Sequence, residues 1–147
     1  MKPICKIVEN RSELDEAHSI RNSVFVLEQN VPESLEWDEY DGSNEAAIHI
    51  LCKFDDKVVG TGRIIFLNNK AKLERVAVLK SYRRQGIGTK IVRFMIQEIT
   101  RQGEITIFAN VQMIARKFYA TLGFKEVGET FTEAGIEHIK MVFYENE

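Results

Sequence analysis

LERVAVLKSYRRQGIGTKIV, residues 73–92, decides how the chain is read. Its first third is strand-like, Lys80 to Gln85 form a short basic loop, and from Gly86 the apolar positions become Ile87, Ile91, Phe94, Met95 and Ile99. That is the 3.6-residue period of a helix laying one stripe on a sheet. Gly86 and Gly88 remove side chains where main chain must approach a ligand, and the free N–H groups of the next helix's first turn point out of its positive end. Lys80, Arg83, Arg84 and Lys90 add local positive charge. Such a junction suits a pyrophosphate. Two other glycine-loop patterns fail on the same residues. A dinucleotide fingerprint needs a third glycine where Ile91 stands, and a P-loop needs Gly-Lys-Ser/Thr where the chain has Gly88, Thr89, Lys90.

Upstream, residues 3–8 read as a short strand, and Ser12 with Asp15 as a capping-box-like start for a helix with apolar Leu14, Ala17, Ile20, Val24 and Leu27. Pro32 closes it, and the acidic stretch ESLEWDEYDGSNE follows as a loop. Residues 47–54 alternate as a half-buried strand, Asp55 and Asp56 turn, residues 58–67 form the next strand, Asn68 and Asn69 turn, and residues 71–79 complete a meander. Downstream, Gly103 ends the long helix and residues 105–109 form a strand. Ala115, Phe118, Tyr119 and Leu122 give a second helical stripe closed by Gly123, and residues 124–127 and 136–144 add two strands. The order β-α-βββ-α-β-α-ββ predicts one α/β layered domain over residues 1–147, with a mixed, largely antiparallel sheet of six to seven strands flanked by helices.

The 147 residues fit one domain. A net charge of −2 argues against a nucleic-acid coat, and no apolar run approaches the ~20 residues of a membrane span. Cys5 and Cys52 lie far apart behind an N-terminus without leader features, so reduced thiols and a cytoplasmic location are expected. His49 and Cys52 point to opposite faces of one strand, so no metal is expected.

Arg83-x-x-Gly86-x-Gly88 at a strand-to-helix junction resembles the acetyl-CoA signature of the GNAT N-acetyltransferase superfamily. A second run in register, ARKFYATLGF at residues 115–124, is similar to that family's Ala-x-x-Phe-Tyr-x-x-x-Gly-Phe segment. The runs RNSVFVLEQNVPESLEWDEYD and FTEAGIEHIKM look like the ElaA/YjcF-like branch. The resemblance implies the GNAT acyl-CoA N-acyltransferase fold, acetyl-CoA as co-substrate, and a small-molecule or peptide amine as acceptor, with homodimerisation left open. It also implies cofactor contacts from Val76, Val78, Arg83, Arg84, Gln85, Gly86, Ile87, Gly88, Thr89, Gln112 and Tyr119. Gln112 departs from the pattern by standing where an Asn is common, and Lys80 replaces a common proline.

Acetyl transfer needs a neutral nitrogen, a polarised thioester carbonyl and a proton for the leaving thiolate. An alkyl ammonium of pKa ~10.4 is neutral in only about one molecule in 2,500 at pH 7, so a base helps. Glu74 is the first candidate, on a face expected to be shared with Val76 and Val78, and its alternative is a surface carboxylate paired with Lys72 or Arg75. The resemblance makes Tyr119 the acid and the amides near Val76 and Val78 an oxyanion-type cradle. Arg21, Phe25 and Glu28 fall at i, i+4, i+7 on the first helix, which makes Glu28 a substrate candidate beside Arg63 and His138. Arg63 suits a substrate carboxylate. His138 is either a pocket base or a satisfied sheet histidine. The loop carboxylates Glu36, Asp38 and Asp41 are expected to be solvated rather than functional. Two alternatives stand beside amine acetylation. Arg21, Phe25, Glu36, Asp38, Asp41 and Arg63 are also spaced somewhat like charged residues of acyl-homoserine-lactone synthases, and the domain could bind acetyl-CoA without catalysis.

Overall fold

A computed structural model describes residues 2–42 and 46–144. The last three residues of the acidic stretch, 43–45, lie outside them. Seven strands form one sheet in the order β1-β2-β3-β4-β5-β7-β6. They are β1 (Ile4–Ile7), β2 (Ala47–Phe54), β3 (Lys57–Leu67), β4 (Lys70–Val78), β5 (Thr106–Gln112), β6 (Phe124–Glu133) and β7 (Ile136–Phe143). Every neighbouring pair is antiparallel except β4 with β5. That parallel pair requires a crossover, which α3 (Ile87–Thr100) supplies.

One face of the sheet carries α3 and the short α4 (Arg116–Thr121). Its core joins Ile87, Ile91, Met95 and Ile99 of α3 to Ile64, Leu73, Ala109 and Met141 of the strands. Glycines on β3 let α3 sit close: a Cβ at Gly62 would stand 2.7 Å from Met95 Sδ. The opposite face carries α1 (Arg11–Arg21), a π-helical continuation over Asn22–Glu28, and α2 (Glu33–Glu36). There Ile20 and Val24 pack on Ala77.

Three local expectations are corrected. Asn10, not Ser12, caps α1, accepting from Glu13 N at 2.9 Å, while Glu13 Oε1 accepts from Glu9 N. The π winding after Arg21 breaks the i, i+4, i+7 face assumed for Arg21, Phe25 and Glu28. β6 continues to Glu133, six residues beyond the predicted end.

The most consequential difference lies in β4. Thr61 pairs with Ala77 and Arg63 with Glu74, so Arg75 and Val76 together oppose Gly62 in a bulge, with Arg75 left-handed at φ 55°. An extra residue reverses the facing of everything after it. Glu74 therefore does not share a face with Val76 and Val78. It sits with Arg63 on the α1 side, whereas Val76 and Val78 pack with the α3-side core.

Candidate active site

Pairing between β4 and β5 stops at Leu73 with Ala109, although β4 runs on to Val78 and β5 to Gln112. The strands part beyond that point. A cavity of about 640 Å³ occupies the parting, lined by residues 72–78 of β4, 109–112 of β5, Phe25 of the π turn, Phe118 and Tyr119 of α4, and His138 of β7.

Main-chain polarity in the parting follows from the ladder. Leu79 N donates to Val59 O at 2.9 Å, so by alternation Val78 turns its N–H and C=O away from β3, toward the gap. Arg83 Nε donating to Val78 O at 2.9 Å agrees with this. Val76, within the bulge, lines the same cavity.

Beyond β4, Lys80–Tyr82 form a 3₁₀ turn, Arg83 is extended, and Arg84 and Gly86 are both left-handed, at φ 63° and 82°. Gly86 takes that conformation without a Cβ penalty and starts α3. Among the described residues, the main-chain N–H groups of Arg84 through Thr89 donate to no protein acceptor, and Lys90 N is the first to close a helical turn, onto Gly86 O at 3.1 Å. A second cavity of about 310 Å³, bordered by Val78, Tyr82, Arg84, Gly86, Thr89 and Phe118, lies over these groups. An anion with several oxygens fits such a cradle. Gln85 and Arg84 are exposed on the loop, and Ile87 is buried beneath it.

Arg83 and Glu28 form a two-pronged pair with both N···O distances 2.6 Å. The Arg83 guanidinium holds the Glu28 carboxyl below the usual carboxylate range. Glu28, expected to meet substrate, thus clamps the π turn to the glycine loop. Gln112 is likewise engaged: its side-chain amide exchanges hydrogen bonds of 2.9 and 3.2 Å with Gln29. Gln29 has no signal in the sequence, because a lone glutamine past a helix end carries no pattern.

Tyr119 is 8% exposed, and burial pushes its phenol above the ordinary tyrosine range. Its ring stands edge-on to Phe118 and Phe124 at 5.2 and 5.3 Å. His138 is also buried on the cavity wall, with Nδ1 2.7 Å from Ile136 O.

Arg63 requires correction. It is 0% exposed and directs Nε and Nη2 at Glu74, Nη1 at Asp38 and Asp41, and Nη2 also at Asp38. No donor is left for a substrate carboxylate. Arg21, 1% exposed, binds Glu36 and Asp41, both at 2.5 Å, and Arg75 reaches Glu36 and Asp38 at 3.3 Å. Trp37 and Tyr40 cover Arg21 and Arg63 at 5.1 and 5.6 Å. Glu36, Asp38 and Asp41 are therefore not merely solvated loop charges; their carboxylates neutralise Arg21, Arg63 and Arg75. Burial opposes the charge on Asp41, yet His18 at 3.7 Å and the Arg21 guanidinium hold its carboxyl well below the ordinary range. Glu74 belongs to this network too: Arg63 occupies Oε1 and Lys72 stands 3.2 Å from Oε2.

Among the described residues, no group of three or more His, Cys, Asp or Glu is placed to hold a metal ion, and no helix is long and apolar enough to cross a membrane.

Comparison with known proteins agrees with this geometry. The acetyltransferase (GNAT) domain matches residues 11–144. YyaT of Bacillus subtilis is 39% identical over 92% of each chain. YjcF of the same organism, named an N-acetyltransferase, is 36% identical over 92% of this chain and 96% of its own. The crystal structure of Escherichia coli ElaA superposes with a TM-score of 0.86 at 24% identity, covering 97% of this chain and 100% of that one. An aminoglycoside 6'-N-acetyltransferase solved with coenzyme A has the same fold, with a TM-score of 0.77 at 19% identity and 95% of each chain covered. The chain belongs to the GNAT acetyltransferase family, among the relatives of YjcF and ElaA, and is an acyltransferase.

Proposed function

We propose that this chain transfers an acetyl group from acetyl-CoA to an amine nitrogen of a small molecule or peptide, both substrates being bound together. The observation that carries the reading is the parting of β4 from β5 beside a loop whose amides, among the described residues, have no protein partner. The N–H groups of residues 84–89 hold the pyrophosphate, with Arg84 supplying charge, while the Arg83–Glu28 clamp fixes the loop. The N–H groups of Val76 and Val78 bind the pantetheine arm and the carbonyl oxygen, on which negative charge grows during transfer. Acetyl-CoA supplies the activated acyl group. Phe25 and His138 line the α1 side of the cavity and Tyr119 the α4 side, so acceptor and sulfur are approached from different directions. This supports direct attack.

Tyr119 is the proton donor to sulfur. Its raised acidity range keeps the phenol protonated at neutral pH, and among the described residues no acceptor takes its hydroxyl. Screening amines with acetyl-CoA while monitoring free thiol tests the activity. With an accepted amine, Tyr119→Phe is expected to reduce kcat by about 10²–10⁴-fold while acetyl-CoA affinity holds. Equal turnover would remove Tyr119 from the chemistry. A wild-type chain that releases no thiol with any amine would overturn the reading.

A further inference from the structure

The base expected from the sequence, Glu74, has its lone pairs directed at Arg63 and Lys72. Another group on the cavity wall is arranged for proton removal. His138 Nδ1 lies 2.7 Å from Ile136 O, and a carbonyl oxygen only accepts, so Nδ1 carries the proton. Nε2 is then the nitrogen with a free lone pair. The ring is held in place: it stacks on Phe131 with centroids 5.9 Å apart and planes 24° from parallel. Glu133 Oε2 stands 3.7 Å from Nε2, placed to balance a positive imidazolium.

The topology puts this nitrogen on the acceptor side. Ile139 and Met141 of β7 pack into the α3-side core, so alternation turns His138 to the α1 face. It pairs with Gln112, the last residue of β5, where the strands have already parted. Tyr119 borders the same cavity from α4.

We propose that His138 is the general base of acetyl transfer, with Glu133 as its counter-charge; this rests on the acetyltransferase reading above. Nε2 takes a proton from the attacking amine as the nitrogen–carbon bond forms. The carbon–sulfur bond breaks with its electron pair on sulfur, which receives the Tyr119 proton. Solvent then reprotonates Tyr119 and deprotonates His138, and the net products are an amide and a free thiol. Besides Glu133 on β6, the charged groups on this cavity wall are Lys72, Glu74 and Arg75 of β4, Arg83 of the glycine loop, which Glu28 pairs, and Glu36 and Asp38 from the α1 side. The arginine network binds the three carboxylates among them.

The test uses the full-length chain and an amine found by thiol-release screening. His138→Gln is expected to lower kcat about 10²–10⁴-fold with unchanged acetyl-CoA affinity by calorimetry. Added imidazole should restore part of the activity of His138→Ala. Glu133→Gln, a substitution at a half-exposed hairpin position, should lower kcat with acetyl-CoA affinity unchanged, because the imidazolium formed during transfer loses its counter-charge, and this arm stands even if the histidine variants fail to fold. Wild-type turnover retained by His138→Gln would overturn the base, and wild-type turnover retained by Glu133→Gln would overturn its counter-charge, each while leaving acetyl transfer intact. Acetyl-CoA binding without thiol release from any amine would overturn both.

Discussion

Arg63 places five N–H donors against three carboxylates from two elements: Asp38 and Asp41 of the capped 3₁₀ turn, and Glu74 of β4. Removing the guanidinium leaves those carboxylates with too little counter-charge in a site with little solvent. Breaking a buried pair from one side costs about 3–5 kcal/mol. Arg63→Met, similar in volume, is therefore expected to lower unfolding free energy by about that amount in urea titrations. A change below about 0.5 kcal/mol, the scale of ordinary surface substitutions, would show the network to be dispensable. The site loses position as well as stability, since Asp38 and Asp41 fix the 3₁₀ turn Glu39–Asp41 against Arg63 of β3 and Arg75 of β4.

Among the elements, the β1–β2 register makes its own prediction. Val8 N donates to His49 O, so the ladder alternates to leave Cys5 and Cys52 as a non-hydrogen-bonded pair, the closer of the two kinds. Facing side chains of such a pair have Cβ atoms about 4.5 Å apart, at the upper end of the separation a disulfide accepts. A mild peroxide converts one thiol to the sulfenic acid, which the other displaces with loss of water. Intact-mass measurement should show the loss of two hydrogens in wild type and none in Cys5→Ser; mixed intermolecular dimers instead would contradict the register. The succession of strands and helices along the chain, the α3 stripe and both glycine-closed helices were legible, because periodicity and turn residues mark them locally. The bulge at Arg75 and Val76 was not, since no glycine marks its left-handed residue, and Glu74 was consequently assigned to the wrong face. β6 was cut short because it pairs only with β7 and is exposed beyond Phe124, which leaves no burial alternation to read. At the site, the glycine loop and Tyr119 could be found from motifs. The Arg83–Glu28 clamp, the Gln29–Gln112 pair and the Glu133–His138 approach join residues far apart or across a turn, and spacing carries no trace of them.

At the scale of the whole molecule, the proposed ligand path runs from one face of the sheet to the other. The glycine loop and α4 stand on the α3 side, the arginine network and His138 on the α1 side, and the parted strands connect them. A ligand bound along this path contacts both layers only in the folded chain, so binding must stabilise the whole domain. At 100 times the dissociation constant of acetyl-CoA the gain is about 2.7 kcal/mol. For a domain of this size that corresponds to a rise of about 5–10 °C in melting temperature. Gly86→Val separates ligand from fold. The φ of 82° is strained for valine, costing about 1–3 kcal/mol, yet a Cβ there meets no atom within 4 Å, so the domain is expected to fold with a lowered melting temperature. Its response to acetyl-CoA should be lost, because the amides that grip the pyrophosphate no longer hold their arrangement. A Gly86→Val chain that gains as many degrees from acetyl-CoA as wild type would place the coenzyme elsewhere on the molecule.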